Sequence, residues 1–169
     1  MPDPQTGFGD DTGAVPAEVA EALDRYAADP RSYPVALHAL QRSRLLLAVL
    51  EVPADTFPEH DHAHHDHPHA PAATAMAAAL VQREDGRRAL VAFTGLGPLR
   101  RWNEQARPLP MSTRTAAETA RSEGAVALLV DPAGPTSLVV QGEDLVGVAE
   151  GWTLARLGER TAWIRPAPE

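Results

Sequence analysis

The sequence predicts a single α/β domain in which helices flank a mixed β-sheet of about five strands, with an α+β arrangement as the open alternative. Three observations lead to this fold class. The 169 residues suffice for one hydrophobic core but not for two large lobes. Segments with helical spacing of apolar residues alternate with short apolar runs, as in α/β proteins. One of these runs, Leu45–Val52, is apolar without alternation, which is typical of a strand covered on both faces.

Two helices are expected directly before that run. Apolar residues at helical spacing predict a helix over residues 16–28, which Asp29-Pro30 ends. A second helix is expected from Ser32, as its N-cap, to about Arg42. The strand 45–52 follows and is the best candidate for a central strand, because only a covered strand tolerates so continuous an apolar run.

A β-hairpin is expected over residues 76–94. Its arms are Met76–Gln82 and Arg88–Thr94, and the turn between them contains Asp85-Gly86, a strong hairpin signal. The first arm is rich in alanine, which is a poor strand former. A helix therefore stays open as the alternative for that arm.

The remaining elements alternate between helix and strand. In chain order we expect a short helix through Trp102, an extended edge or linker segment with two prolines at 107–111, a helix at 113–122, strands at 125–130 and 137–140, and a helix at 143–150. Residues 152–163 are ambiguous, since the apolar positions fit either a helix or a short hairpin about Gly158.

This pattern divides the chain into three parts. Residues 1–14 are acidic and rich in glycine, and we expect them to be flexible. The α/β domain occupies residues 15–150 and is interrupted by a His-rich loop at 53–74, where apolar periodicity is lost. Residues 151–169 form a C-terminal extension.

Composition excludes several classes of function. The formal net charge is −8 and the sequence has no lysine, so neither nucleic acid nor an anionic membrane is an expected partner. Cysteine is absent, which excludes disulfides, thiolate metal sites and thiol nucleophiles. The apolar run Leu45–Leu50 is far shorter than the roughly 20 residues of a membrane helix, and residues 1–14 lack a secretory signal pattern. We expect a cytoplasmic protein.

No catalytic signature is present, so we expect a protein that is not an enzyme and requires no cofactor. No serine stands in a Gly-x-Ser-x-Gly pattern. The segment Gly95–Gly97 lacks the third glycine of a dinucleotide fingerprint, and a phosphate loop needs a lysine. Arg100, Arg101 and Arg107 form a local basic patch, which is either a contact for an acidic partner or a solvated surface.

Several segments of the second half follow one another in a distinctive order. They are Val91–Gly95 with Leu99–Trp102, then Arg107–Ser112 before a helix, then Glu123–Ala125 and Leu129–Pro135. Together they resemble the N-terminal domain of the SseB family, small bacterial proteins named from an enhanced-serine-sensitivity phenotype. With Arg44–Val52 the resemblance covers about two thirds of the chain. It implies a bacterial, in particular an actinobacterial, source.

The resemblance also implies a single α/β domain with a mixed sheet and no established enzymatic activity. Its matching positions are interpreted as structural. The indole of Trp102 would fill the core, and the turn that begins at Asp131 would be fixed by its prolines and glycine. The matching positions are Trp102, Pro108, Asp131, Gly134 and Pro135.

A dense histidine tract is peculiar to this chain. Imidazole is a common ligand of Zn and Ni, and close spacing lets several rings reach one ion. Interspersed alanine and proline indicate a loop, which favours weak binding through interchangeable ligands rather than a catalytic zinc site. A solvated loop without a metal role is the alternative. The candidate metal ligands are His60, His62, His64, His65, His67 and His69.

Two functions follow as hypotheses. The first is a non-enzymatic binding or regulatory module of the SseB type, with an unknown protein partner. The second is a small Zn- or Ni-binding protein that uses the His-rich loop. If Trp152 and Trp163 are exposed on an unpaired tail, they would favour a protein interface, whereas inward packing would remove that argument.

Overall fold

The computed structural model of the protein describes residues 9–56 and 74–168. Over these residues the fold is α/β, with one mixed seven-stranded sheet and a separate two-stranded sheet, which confirms the predicted fold class. No helix in this part of the chain is both long and apolar enough to cross a membrane. In chain order the elements are α1 (Ala17–Ala28), α2 (Tyr33–Gln41), β1 (Arg44–Pro53), β2 (Thr74–Ala78), β3 (Leu80–Gln82), β4 (Arg88–Phe93), α3 (Leu96–Trp102), β5 (Arg107–Ser112), α4 (Thr113–Ser122), β6 (Ala127–Val130), β7 (Leu138–Gln141), α5 (Glu143–Ala149), β8 (Thr153–Leu157) and β9 (Arg160–Ile164).

Strand β1 organises the sheet because it pairs with three other strands, each antiparallel to it. One edge of β1 pairs with β5. The other edge pairs with β4 at Leu46 and Leu47, and further along with β2 from Val49 to Pro53. Beyond β4 follow β6, which is parallel to β4, and then β7, which is antiparallel to β6. The strand 45–52 is therefore central, as predicted.

The sheet has seven strands instead of about five for two reasons. The first hairpin arm forms two strands, and the proline segment at 107–111 pairs with β1 as a strand. The first hairpin arm is divided at Ala79 into β2, which pairs with β1, and β3, which pairs with β4. Ala79 bridges both neighbours, since its N–H donates to Ala48 and its carbonyl accepts from Val91. The helical alternative for this arm is therefore wrong.

The turn of the hairpin forms at the predicted position. Gly86 has φ +84, a conformation that L side chains rarely adopt, and the N–H of Arg83 donates to the carbonyl of Arg87. Asp85 accepts a hydrogen bond from the backbone N–H of Arg87 at 3.0 Å. The Asp-Gly pair thus provides the reversal that brings β3 beside β4.

Strand β5 lies at the edge of the sheet and pairs with β1 alone among the described strands. Pro108 and Pro110 lack an N–H and are tolerated there because the outer edge needs no ladder donor. The chain then turns directly into α4, where the Ser112 hydroxyl accepts from the N–H of Thr115 at 3.0 Å as an N-cap.

One side of the sheet, here called the first face, carries the larger core. Alternate strand residues such as Leu45, Leu90 and Leu128 point to this side. Helices α1, α2, α4 and α5 cover it, with Leu37 and Val148 among the fully buried side chains that they contribute. The helical periodicity found in the sequence is thus satisfied by burial against one sheet face.

The opposite side, here called the second face, has a smaller core under α3. Leu46, Val91 and Phe93 alternate with the residues of the first face and pack with Leu99 of α3. Trp102 ends α3 and lies with its ring centroid 5.5 Å from that of Phe93. Only the part of this face that β1 and β4 form is covered by α3.

The ambiguous C-terminal segment forms the hairpin β8–β9 with a turn at Gly158, whose φ is +66. It packs on α5, where a Cβ added to Gly147 would lie 2.7 Å from the ring of Trp163. Trp152 is buried and lies 6.5 Å from Trp163 between ring centroids. Both tryptophans pack inward, so they give no argument for an exposed interface.

Candidate functional site

The six histidines proposed as metal ligands, His60 to His69, lie outside the described residues. Among the residues that the structure describes, no group of three or more His, Asp or Glu side chains is arranged to hold a metal ion. The predicted Zn or Ni binding therefore stays a prediction from the sequence.

A cluster of buried polar side chains lies at one end of the sheet. Arg44 begins β1, Thr94 follows β4 and Asp131 follows β6. Thr113 follows Ser112, which is opposite Arg44 in the β1–β5 register. Since β4 and β6 are parallel and β1 runs against β4, these positions meet at the same end. No other buried polar or charged residue occurs in the described ranges.

Asp131 joins the ends of the parallel strands β4 and β6. Its carboxylate accepts from the backbone N–H of Thr94 at 2.9 Å and from the Thr94 hydroxyl at 2.6 Å. Burial raises the pKa of Asp131 above the ordinary 3.8, although the bonds from Thr94 and the charge of Arg101 act in the opposite direction. Asp131 has φ +52, which aspartate tolerates better than most residues. Both carboxylate oxygens are engaged inside the protein, so this acid fixes the strand ends.

Arg44 connects the same end of the sheet to the N-terminal segment. Its guanidinium pairs with the Asp11 carboxylate and donates to the carbonyls of Ala14 and Thr94. The hydrogen bond from Arg44 lowers the pKa of Asp11. No buried side-chain nitrogen or oxygen of the described residues lacks a partner, so nothing in this cluster is directed at an absent ligand.

The other positions that match the SseB pattern lie around the second face and its turns. Trp102 is half-buried against Phe93, and Pro108 stands in the edge strand β5. Gly134 and Pro135 stand in the turn after Asp131, which the N–H of Gly134 closes by donating to the Asp131 carbonyl at 3.0 Å. Trp102 and Gly134 thus have contacts within the domain, and the structural role of Pro108 and Pro135 stays a prediction.

A groove of about 360 Å³ lies between α2 and the hairpin β8–β9. Its walls are apolar, with Val35 and Leu154 half-buried, and its rim carries His38, Arg31 and Arg156. Arg31 is held by Asp29 at 3.1 Å, and Arg156 donates to the carbonyl of Gly158. Both arginines thus line the groove while making a contact within their own chain segment.

Beyond α3, the second face is uncovered over β3, β4, β6 and β7. We call this surface the open face and define it by Val81, Ala89, Val126, Leu129 and Val139, which line one shallow concavity of about 150 Å³. Val126 is 46% exposed and Val139 is 40% exposed, whereas Val81 and Leu129 are half-buried. The surface is thus a contiguous apolar area that no helix of the described residues covers.

Three arginines border the open face, and we call them the arginine rim: Arg83, Arg87 and Arg88. They come from the β3–β4 hairpin and its turn, at the end of the sheet opposite to Asp131. Arg87 is 3.9 Å from Asp85, and no other ion pair involves the rim within the described part of the chain. The lining of the concavity includes no acidic residue.

This surface was not predicted from the sequence, in which the basic patch was expected at Arg100, Arg101 and Arg107. In the structure Arg107 pairs with Glu51 at 3.0 Å, and Arg100 lies on α3, where it donates to the carbonyl of Glu104. A signal for the open face was present. Leu129 and Val139 alternate with core residues of β6 and β7 and are themselves apolar, which predicts strands with two apolar sides.

The comparisons with known proteins give one match. A family model described as the SseB protein N-terminal domain matches residues 19–146, which is well over half of the chain. No curated protein and no solved structure matches the chain. The matched region ends within α5, so the hairpin β8–β9 lies beyond it. The match carries no information on the source organism, and the actinobacterial origin stays a prediction. The chain belongs to the SseB family.

Proposed function

We propose that this SseB family protein is a non-enzymatic binding or regulatory module of the cytoplasm that binds a partner protein on the open face. The single observation that supports this function is the apolar, uncovered part of the second face. A mostly antiparallel sheet such as this one can leave one face to water, but that face then ordinarily carries polar side chains, because exposed apolar area is unfavourable in water. Such an area on one side of a sheet is typical of a surface that a partner covers.

The open face offers enough apolar area to contribute to binding. Fully burying a side chain the size of valine or leucine contributes about 1.5–3 kcal/mol relative to leaving it exposed. Val126 and Val139 still have 46% and 40% of their surface accessible. A partner that removes this surface from water gains affinity without any rearrangement of the sheet.

The polar cluster at the other end of the sheet supports a module that performs no catalysis. A catalytic acid or base must direct an oxygen or nitrogen at the substrate. Asp131 directs both carboxylate oxygens at Thr94, and Arg44 is engaged by Asp11 and by backbone carbonyls. The proposal therefore assigns these residues to the stability of the domain.

Site-specific photo-crosslinking in a bacterium that expresses the full chain tests this function. The photo-reactive amino acid replaces Val139 on the open face, and in the control it replaces Met76, which is 48% exposed on the first face. We expect one defined protein adduct from position 139 and none of the same mass from position 76. The purified partner should then bind the wild type and lose affinity for Val139→Asp but not for Met76→Asp.

Adducts that are identical at both positions, or the absence of any adduct at position 139, would contradict a binding role of the open face. Equal affinity of the purified partner for Val139→Asp and Met76→Asp would contradict it as well, because only one of these substitutions places a carboxylate on the open face.

The histidine tract supports a second proposed function, the binding of Zn or Ni by residues 60–69. Calorimetric titration of the full chain with each metal tests it, beside a variant that lacks Phe57–Pro71 and retains His38. Stoichiometric binding that the deletion abolishes, together with metal in tag-free protein as purified, would support metal handling. Binding of equal strength in the deletion variant would show that the histidine tract does not bind the metal.

A further inference from the structure

We infer that the partner element on the open face is an amphipathic helix with carboxylates along one flank, supplied by another protein. This inference rests on the proposed function and names the partner's chemistry. The shape of the uncovered surface and the charge of the arginine rim support it.

The shape of the open face fits a helix. Four strands, β3, β4, β6 and β7, lie side by side there, and at a strand spacing of about 4.8 Å they span about 14 Å. A helix of about 10 residues is about 15 Å long and would cross them. On the adjoining part of the same face, α3 already packs in this layer through Leu99. A second helix beside α3 would cover the part of the second face that α3 leaves exposed.

The positive charge of the arginine rim indicates that the flank of that helix carries carboxylates. Arg83, Arg87 and Arg88 border the concavity, whereas the whole chain has a formal net charge of −8. Asp85 and Glu84 stand in the same turn, and of these Asp85 is engaged with Arg87. Arginine binds carboxylates through charge-assisted and often bidentate hydrogen bonds. Glutamates on the flank of the partner helix would therefore form ion pairs with the arginine rim, which borders the open face.

The same charges argue against two other occupants. A second copy of this chain would bring a second arginine rim to the contact, and the lining of the concavity contains no acidic residue to pair with it. A nucleic acid or an anionic vesicle would be repelled by the acidic remainder of the chain. An acidic helix is short enough to contact the rim alone.

Binding of two synthetic peptides to the full-length protein tests the inference. Both are about 14 residues long, with leucines at i, i+3, i+4 and i+7. One carries glutamates on its flank and the other carries lysines at the same positions. Fluorescence anisotropy of the labelled peptides is measured with wild type, with Arg83→Glu/Arg87→Glu, and with Arg100→Glu. The last variant is a matched control, since Arg100 is an exposed arginine on α3 outside the concavity.

We expect saturable binding of the glutamate peptide and much weaker binding of the lysine peptide. The double rim substitution should weaken binding by about tenfold or more, and about 0.5 M NaCl should weaken it similarly. Arg100→Glu should leave the affinity within about twofold. In addition, Val139→Asp should weaken binding and Met76→Asp should not, which places the peptide on the open face.

Absence of binding by the glutamate peptide, equal binding of the two peptides, or an equal loss with Arg100→Glu would each overturn the inference. Displacement of the peptide by duplex DNA or by phosphatidylglycerol vesicles would overturn it in favour of a phosphate-bearing partner. If Val139 crosslinks to a defined protein but the glutamate peptide does not bind, the binding function stands and the acidic helix is wrong. If neither occurs, both proposals fail.

Discussion

The two faces of the sheet are formed by the same strands but are covered by helices to different degrees. On the first face, four helices and the C-terminal hairpin bury alternate residues such as Leu128 and Leu138 completely. On the second face, α3 is the one covering helix among residues 9–56 and 74–168, and Val139 and Val126 are exposed there. The first face therefore contributes most of the stability of the fold, and the second leaves apolar area available for binding.

The largest expected effect is a difference in stability between two substitutions in one strand, one on each face. Leu128 is fully buried on the first face, whereas its neighbour Leu129 is half-buried on the second. Leu128→Ala should lower the free energy of unfolding by about 2–5 kcal/mol, because it leaves a cavity in the core. Leu129→Ala should cost under about 1.5 kcal/mol, since solvent already reaches that side chain. Urea denaturation of both variants measures the difference, and equal losses would contradict the stronger contribution of the first face to stability.

A second prediction concerns the hairpin that completes the cover of the first face. A Cβ on Gly147 would meet the ring of Trp163 at 2.7 Å, so Gly147→Ala should destabilise the protein by about 1–3 kcal/mol. The control is Gly97→Ala on α3, where a Cβ would meet nothing within 4 Å. This substitution should be neutral or stabilising, because alanine favours a helix over glycine by about 1 kcal/mol. Thermal denaturation that ranks the variants in reverse would contradict the packing of Trp163.

A third prediction concerns how the free energy of unfolding depends on pH through the buried polar cluster at one end of the sheet. Burial raises the pKa of Asp131 above 3.8, so its contribution is fully present below pH 3.8 and is lost as the pH rises through the folded-state pKa. The stability of wild type relative to Asp131→Asn should therefore fall as the pH rises through that window.

Asp11 provides the opposite case in the same cluster. Arg44 lowers the pKa of Asp11 below 3.8, so its contribution is present above pH 3.8 and is lost as the pH falls through the folded-state pKa. The stability of wild type relative to Asp11→Asn should fall as the pH decreases. Urea denaturation across a pH series measures both differences, and slopes of the same sign would refute the assignment.

The smallest effect is expected at the open face itself. Val139→Thr keeps the shape of the side chain and places a hydroxyl where water already has access. The free energy of unfolding should change by less than about 0.5 kcal/mol. Retention on a hydrophobic interaction column should decrease, and it should decrease less for a polar substitution of Met76, which lies outside the open face. A large loss of stability would mean that Val139 is structurally required.

Much of the fold could be predicted from residue patterns because its signals are local. The hairpin turn at Asp85-Gly86, the edge position of the proline segment 107–111 and the helix 113–122 all follow from conformational preferences of a few neighbouring residues. The segment 152–163 could not be decided this way, since the same apolar positions fit two periods. Packing of Trp163 against Gly147 selects the hairpin.

The candidate site was harder to predict than the fold. Arg83, Arg87 and Arg88 are close in sequence, but only the pairing of β4 with β6 places them beside Val126 and Leu129. The patch expected at Arg100, Arg101 and Arg107 looked equally basic in the sequence. In the structure Arg107 of this patch pairs with Glu51, which lies on the neighbouring strand β1.

The fold class and the central strand follow from the amino-acid sequence, since apolar spacing and turn residues act over short distances. The family resemblance follows from the order of its characteristic segments. Tertiary structure alone decided which apolar strand residues are covered. Leu129 and Val139 are as apolar as their buried neighbours, and their exposure depends on how far α3 extends over the second face. Coverage is a property of the whole assembly of elements, because it depends on layers that come from distant parts of the chain.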